Sequence, residues 1–195
     1  MNKLCLQIAT LSVFFGMPFF VCAQEEAAAP AANPLEKGIA GEKAPELIVE
    51  EWIQLPDGKE SLSIKDFEGK VLVMLFFQST SKGSHDVAFP RLQELVKHYS
   101  GNDKVKFLAV QTAFSSLLDN TAQQLKPTAD KFGLKIPFGH YTYTASYPGM
   151  GGLRGTYKSP HVPWFVVIGP DGEVKYNGTQ ISVEMSIVNI DEMIK

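Results

Sequence analysis

Cysteine is scarce in this chain and absent where thiol chemistry would need it. The 195 residues include only Cys5 and Cys22, both inside an apolar N-terminal leader. From Ala23 onward there is no thiol, which excludes disulfide cross-links, cysteine-zinc sites and thiolate nucleophiles from that part. Excess charge is also missing: 18 Lys and Arg stand against 21 Asp and Glu, a net charge of −3. Removing residues 1–23 takes away Lys3 and no acid, so the net charge becomes −4. With no basic excess, nucleic acid is not expected as a partner. After the leader no apolar run is long enough to span a bilayer, and no internal repeat is evident. His85, His98, His140 and His161 show no metal-ligand spacing, so neither a metal nor a cofactor is expected.

Residues 1–23 read as a secretory signal peptide. Lys3 supplies the positive start, Leu4 to Val21 the apolar stretch, and Val21-Cys22-Ala23 the small-residue cleavage site. A retained anchor is the alternative, since about 18–20 apolar residues reach the lower spanning limit. Bulky Val21 argues against a lipid on Cys22. On either reading the domain is exported, to the periplasm or the outside of the cell, with no membrane span once the leader is cleaved. Residues 24–40, rich in Ala, Pro and Glu up to Lys37, read as a disordered tether. Residues 41–195 make one domain, long enough to bury about 70% of its extended surface without disulfides.

Within that domain, Leu47-Ile48-Val49 and Trp52-Ile53 are strand-like, and Leu55 to Lys59 is a turn signal. The unbroken apolar run Val71 to Phe77 suits a central strand covered on both faces. His85 to Tyr99 has helical spacing, with Pro90 expected to kink it. Val105 to Gln111 reads as a second buried strand, Asn120 to Phe132 as a helix strained by Pro127, and Trp164 to Ile168 as a third strand. Gly169-Pro170-Asp171-Gly172 turns into Glu173 to Tyr176, and Ser182 caps a C-terminal helix. Strands alternating with helices predict an α/β fold, a mixed sheet flanked by helices. Tyr141 to Pro160 reads as a long glycine-rich loop, with its tyrosines packed at the edge of the core.

Four motifs in order carry a resemblance. Gly41-Glu42-Lys43-Ala44-Pro45-Glu46-Leu47 is similar to an opening G-x-x-A-P-x-[FL]. Asp57-Gly58-Lys59, Leu62 and Asp66-Phe67-Glu68-Gly69-Lys70-Val71 are similar to D-G-K…L-x-D-x-x-G-K-V. Phe76 to His85 resembles F-F-Q-S-W-C-P-G-C-H, and Val162-Pro163-Trp164 resembles a cis-proline loop. Together, from Gly41 to Lys195, they resemble the thioredoxin-like redoxins of the TlpA and AhpC/TSA type. The resemblance implies a thioredoxin-like fold and descent from exported thiol-disulfide oxidoreductases or peroxiredoxin relatives. It also implies that Ser81 and Ser84 stand at the two cysteine positions. Thr80 and Lys82 replace the family's tryptophan and proline, and Leu75 stands where thioredoxins carry a buried Asp.

Disulfide exchange needs a thiolate to attack and a second thiol to resolve the mixed disulfide, and peroxide reduction also needs a thiolate. Serine supplies neither, so no catalytic residue is expected and the redox positions are vestigial. Thr80, Lys82 and Leu75 depart from the pattern too, which favours a natural loss over an engineered pair of serines. Ser79-x-x-Lys82 matches a serine acyl-transfer motif, but the companion motifs are missing. Ser84 and His85, as neighbours, do not face each other. Asn177-Gly178-Thr179 fits a glycosylation sequon that chance explains equally well.

The expected site is therefore a binding face made of Ser81, Lys82, Gly83, Ser84, His85, Val162 and Pro163. It would accept an extended peptide or envelope protein by strand addition. A sharper form is an anion pocket built from Lys82, His85, two hydroxyls and free helix amides. Two alternatives stand beside the binding module: an oxidoreductase acting by an unidentified route, and a domain delivered to an envelope complex by its tether.

Overall fold

The computed structural model describes residues 38–142 and 152–195. The expected signal peptide, residues 24–37 of the expected tether and residues 143–151 lie outside the described residues. Six strands form one sheet in the order β1-β4-β3-β2-β5-β6. They are β1 (Glu51–Ile53), β2 (Val71–Phe77), β3 (Val105–Ala113), β4 (Phe138–Thr142), β5 (Trp164–Ile168) and β6 (Val174–Gly178). β2, β3 and β4 run parallel, while β5 is antiparallel to β2, β6 to β5, and β1 to β4. The helices are α1 (Phe89–His98), α2 (Leu125–Lys131), α3 (Gly152–Thr156) and α4 (Val183–Met193).

β2 is central because all seven of its side chains are apolar and all are fully buried. Its pleat sends Val73, Leu75 and Phe77 to one core and Leu72, Met74 and Phe76 to the other. The first core receives Leu92 and Leu95 of α1, Leu125 and Ala129 of α2, and Ile190 of α4. That follows from topology: the chain steps β2 to β3 to β4 in one direction, and crossovers of one hand put both helices on one face. The second core is closed by Leu153 of α3, Tyr157, and Ile39, Leu47 and Leu62 from the N-terminal segment.

Several expectations change at this point. The packed domain begins before Gly41: Ile39 is 1% exposed, so residues 38–40 belong to the core and not to the tether. Leu47 to Val49 is not a strand: the Leu47 amide bonds to Glu46 Oε1, which also accepts from the Ile64 amide, and pairing with β4 starts only at the Glu50 amide. The Tyr141 to Pro160 loop is shorter than expected, since β4 runs to Thr142 and α3 starts at Gly152. Tyr141 and Tyr157 are core residues. Asn177 is buried, accepting from Trp164 Nε1 and donating to Tyr157 O, so the folded chain does not present the sequon for modification.

Other expectations hold with added detail. Pro90 sits in the first turn of α1 and is preceded by a π-helical turn, Ser84–Ala88, in which the Phe89 amide reaches back to Ser84 O. Proline has no N–H and crowds the carbonyl four residues earlier, so the helix widens there. The expected Asn120 to Phe132 helix is corrected instead: a 3-10 turn, Ala122–Gln124, leads into α2, which spans only Leu125–Lys131, and Pro127 falls in its first turn, where the missing N–H costs little and imposes no strain. Ser182 caps α4, its Oγ accepting from the Met185 amide at 3.3 Å.

Candidate functional site

The three parallel strands end at the same edge of the sheet, the usual place for ligands in α/β folds. β2 delivers Gln78 to Ser81 there, and Ser81 starts the helical segment. Its carbonyl accepts from the His85 amide at 3.2 Å, and its Oγ accepts from the Ser84 amide at 3.2 Å. That is the work of an N-cap residue, for which serine is among the best side chains. Gly83 faces the proline loop: a Cβ built on it would lie 3.3 Å from Pro163 Cδ. Its φ is helical, so what favours glycine here is that close approach and not the backbone. The Val162–Pro163 peptide bond is cis. The helix start and Pro163, far apart in sequence, are thus adjacent in space.

Ser84 differs from Ser81. It is fully buried, and its hydroxyl has no hydrogen-bond partner among the described residues. Lys82 is exposed and ion-paired with Asp86 one turn on. His85 is not a solvated loop histidine. Its Nε2–H donates to Ser79 O at 2.7 Å, and its Nδ1 accepts from Lys131 Nζ at 3.0 Å. A carbonyl can only accept and an ammonium can only donate, so both partners fix the same tautomer. Its ring also lies against Phe89 and Phe132. The anion pocket is therefore not assembled: Lys82 carries its own carboxylate, and His85 is committed elsewhere. The same partners dismantle the Ser79–Lys82 pair, because Ser79 Oγ bonds to Gln111 Oε1.

Beneath the loop lies a polar floor that sequence reading missed. Gln78 and Ser115 exchange two hydrogen bonds, at 3.3 and 3.1 Å. Asn120 accepts from the Thr80 amide at 3.1 Å and donates to Thr80 Oγ1 at 2.9 Å. Gln111 joins Ser79, Thr121 and His140. Gln78, Gln111, Asn120 and His140 are each at most 4% exposed. Burial holds His140 below the usual histidine value, against the opposing pull of Glu50 and Glu51. A third wall comes from α3: Arg154 stacks over Phe114 at 3.6 Å and donates to Ser159 O at 3.2 Å, joining the loop after β3 to the segment before Pro163. The available signal for this floor was weak: an apolar run ending in Gln111, and a histidine near aromatics.

Several solved structures superpose on this arrangement. A crystal structure of a thioredoxin-like superfamily protein matches with a TM-score of 0.66 at 24% identity, covering 78% of this chain and 96% of its own. A thiol-disulfide isomerase from Corynebacterium glutamicum matches with a TM-score of 0.67 at 20% identity, covering 80% and 97%. The chain has a thioredoxin-like fold. A thiol-disulfide oxidoreductase from Bacteroides fragilis shares that fold with a TM-score of 0.56 at 17% identity, covering 76% and 98%. No protein-family model matches the sequence, and no curated protein matches it. In this thioredoxin-like fold Ser81 caps the helix start and Ser84 is fully buried behind it. Leu75 is fully buried among apolar neighbours, a position with no group to move a proton. Among the described residues no cluster of His, Cys, Asp and Glu could hold a metal, and no helix is long and apolar enough to cross a membrane.

Proposed function

We propose that this chain is an exported binding module on a thioredoxin-like fold, without thiol redox chemistry. Its binding face is Ser81 to His85 together with Val162 and Pro163. One observation carries the reading: Ser84 places a hydroxyl with no hydrogen-bond partner in a fully buried socket. A thiol tolerates apolar burial, whereas an unsatisfied hydroxyl there costs about 1–3 kcal/mol. The socket suits sulfur, and the sequence supplies oxygen. The thiol chemistry named for the solved neighbours needs a thiolate, which no residue from Ala23 onward can form.

What the face retains is shape. The partner is an extended peptide segment of an envelope protein, pairing with backbone beside Val162. Val87 on the π-turn and Leu117 and Leu118 on the Asn120 loop are exposed, Leu118 at 94%. They favour a peptide with apolar side chains. Titrating labelled residues 24–195 with extended apolar and polar peptides, followed by NMR, tests the reading. Shifts are expected at residues 81–85 and 162–163 with the apolar set. Shifts confined to other surfaces, or none with any peptide, would contradict it.

A further inference from the structure

Gln111, fully buried on β3, has its amide orientation set by two backbone groups whose roles cannot change. Its Oε1 accepts from the Ser79 amide at 3.3 Å, and its Nε2 donates to Thr121 O at 2.8 Å. The second Nε2 hydrogen therefore points at His140 Nδ1, 3.0 Å away. Nδ1 must be an acceptor, so the ring proton sits on Nε2 and donates to Thr142 Oγ1 at 2.9 Å. A second proton on this imidazole would set N–H against N–H. Turning the Gln111 amide over would relieve that clash only by giving up both the Ser79 amide and Thr121 O.

We propose that His140 is a positioning residue that reads pH: neutral, it holds the Ser79–Ser84 loop through Gln111, and protonated, it releases that loop. The charged groups around it come from the β1 side. Glu50 Oε2 accepts from the Thr142 amide at 3.2 Å, and Glu51 pairs across the sheet from His140. From β3 the neighbours are Gln111 and Thr112, neither titratable. Beyond Ser79, His85 donates to the Ser79 carbonyl and itself accepts from Lys131. Both carboxylates favour the imidazolium, yet burial outweighs them. Acid therefore acts on a buried, neutral ring whose acceptor role is already assigned. The consequence for ligand binding rests on the proposed binding face; the relay from His140 to Ser79 does not.

The test is an NMR titration of the labelled protein from about pH 8 to about pH 4, reaching below the usual histidine range because burial lowers His140. The His140 ring, the Gln111 side-chain amide and the Ser79 backbone amide are expected to move together, with one shared midpoint. Amide exchange across Ser79 to His85 is expected to quicken about tenfold, as befits losing one or two net hydrogen bonds, while β2 and β5 stay protected. His140→Gln should abolish the coupled response, and His98→Gln, at an exposed histidine on α1, should leave it in place. If His140 titrates with no response at Gln111 or Ser79, the proposal fails. It also fails if the response persists in His140→Gln, or if β2 and β5 lose protection in the same step. The wild-type titration decides the matter should either variant not fold. No ligand is present in it, so a failure of peptide binding overturns the binding face and leaves the relay standing.

Discussion

The helix start at Ser81 to Ser84 and the polar floor beneath it are specified very differently. At the helix start one serine caps the segment, the other has no partner for its hydroxyl among the described residues, and Lys82 pairs with Asp86 on its own helical segment. In the floor, Ser79, Thr80, Gln111, Asn120 and His140 bond to one another, and Gln78, Gln111 and Asn120 also bond backbone from residues 79–80 and from the loop 115–121. Buried polar networks of this kind fix one conformation when satisfied and are costly when broken. The sequence thus determines the shape of this edge far more tightly than its chemistry.

The strongest way to break the contrast is Gln111→Leu. It strands the Ser79 amide, Thr121 O and His140 Nδ1 together, and a loss of about 3 kcal/mol in urea unfolding is expected. Acid is the next lever. His140 is held below its ordinary value of 6.5, so the unfolded chain takes up its proton first as pH falls. Its contribution to stability is complete above that value and is lost progressively below it, and His140→Gln should flatten the slope of urea midpoint against pH in that window.

The two serines should then move in opposite directions. Ser81→Ala removes a helix cap and should cost about 1 kcal/mol, while Ser84→Ala removes an unsatisfied hydroxyl and should gain about 1 kcal/mol. Equal losses at both would mean that Ser84 has found a partner. The smallest effect belongs to Lys82→Ala, whose exposed ion pair should leave the unfolding midpoint unchanged.

How legible each region was in the sequence follows from where its partners lie. β2 could be read directly, since a run of seven apolar residues needs cover on both faces whatever surrounds it. The Ser182 cap was equally local. β4 was not legible: Phe138 to Thr142 contains Gly139 and His140, and both are there for remote reasons. A Cβ on Gly139 would come within 2.8 Å of Val49 Cγ1. His140 is buried because Gln111, 29 residues away, meets its ring. At the candidate site, the adjacency of Gly83 and Pro163 was anticipated through motif resemblance. The cap made by Ser81, the commitment of His85 to Ser79 and Lys131, and the floor itself depend on side chains meeting across the fold, which spacing along the chain does not record.

The most direct measurement is turnover itself. Purified residues 24–195 are assayed for dithiothreitol-driven disulfide reduction and for peroxide consumption, with contaminating enzymes excluded by an independent preparation. Rates indistinguishable from the protein-free blank are expected in both assays. Sustained catalytic turnover in either would contradict the proposed binding module without thiol redox chemistry.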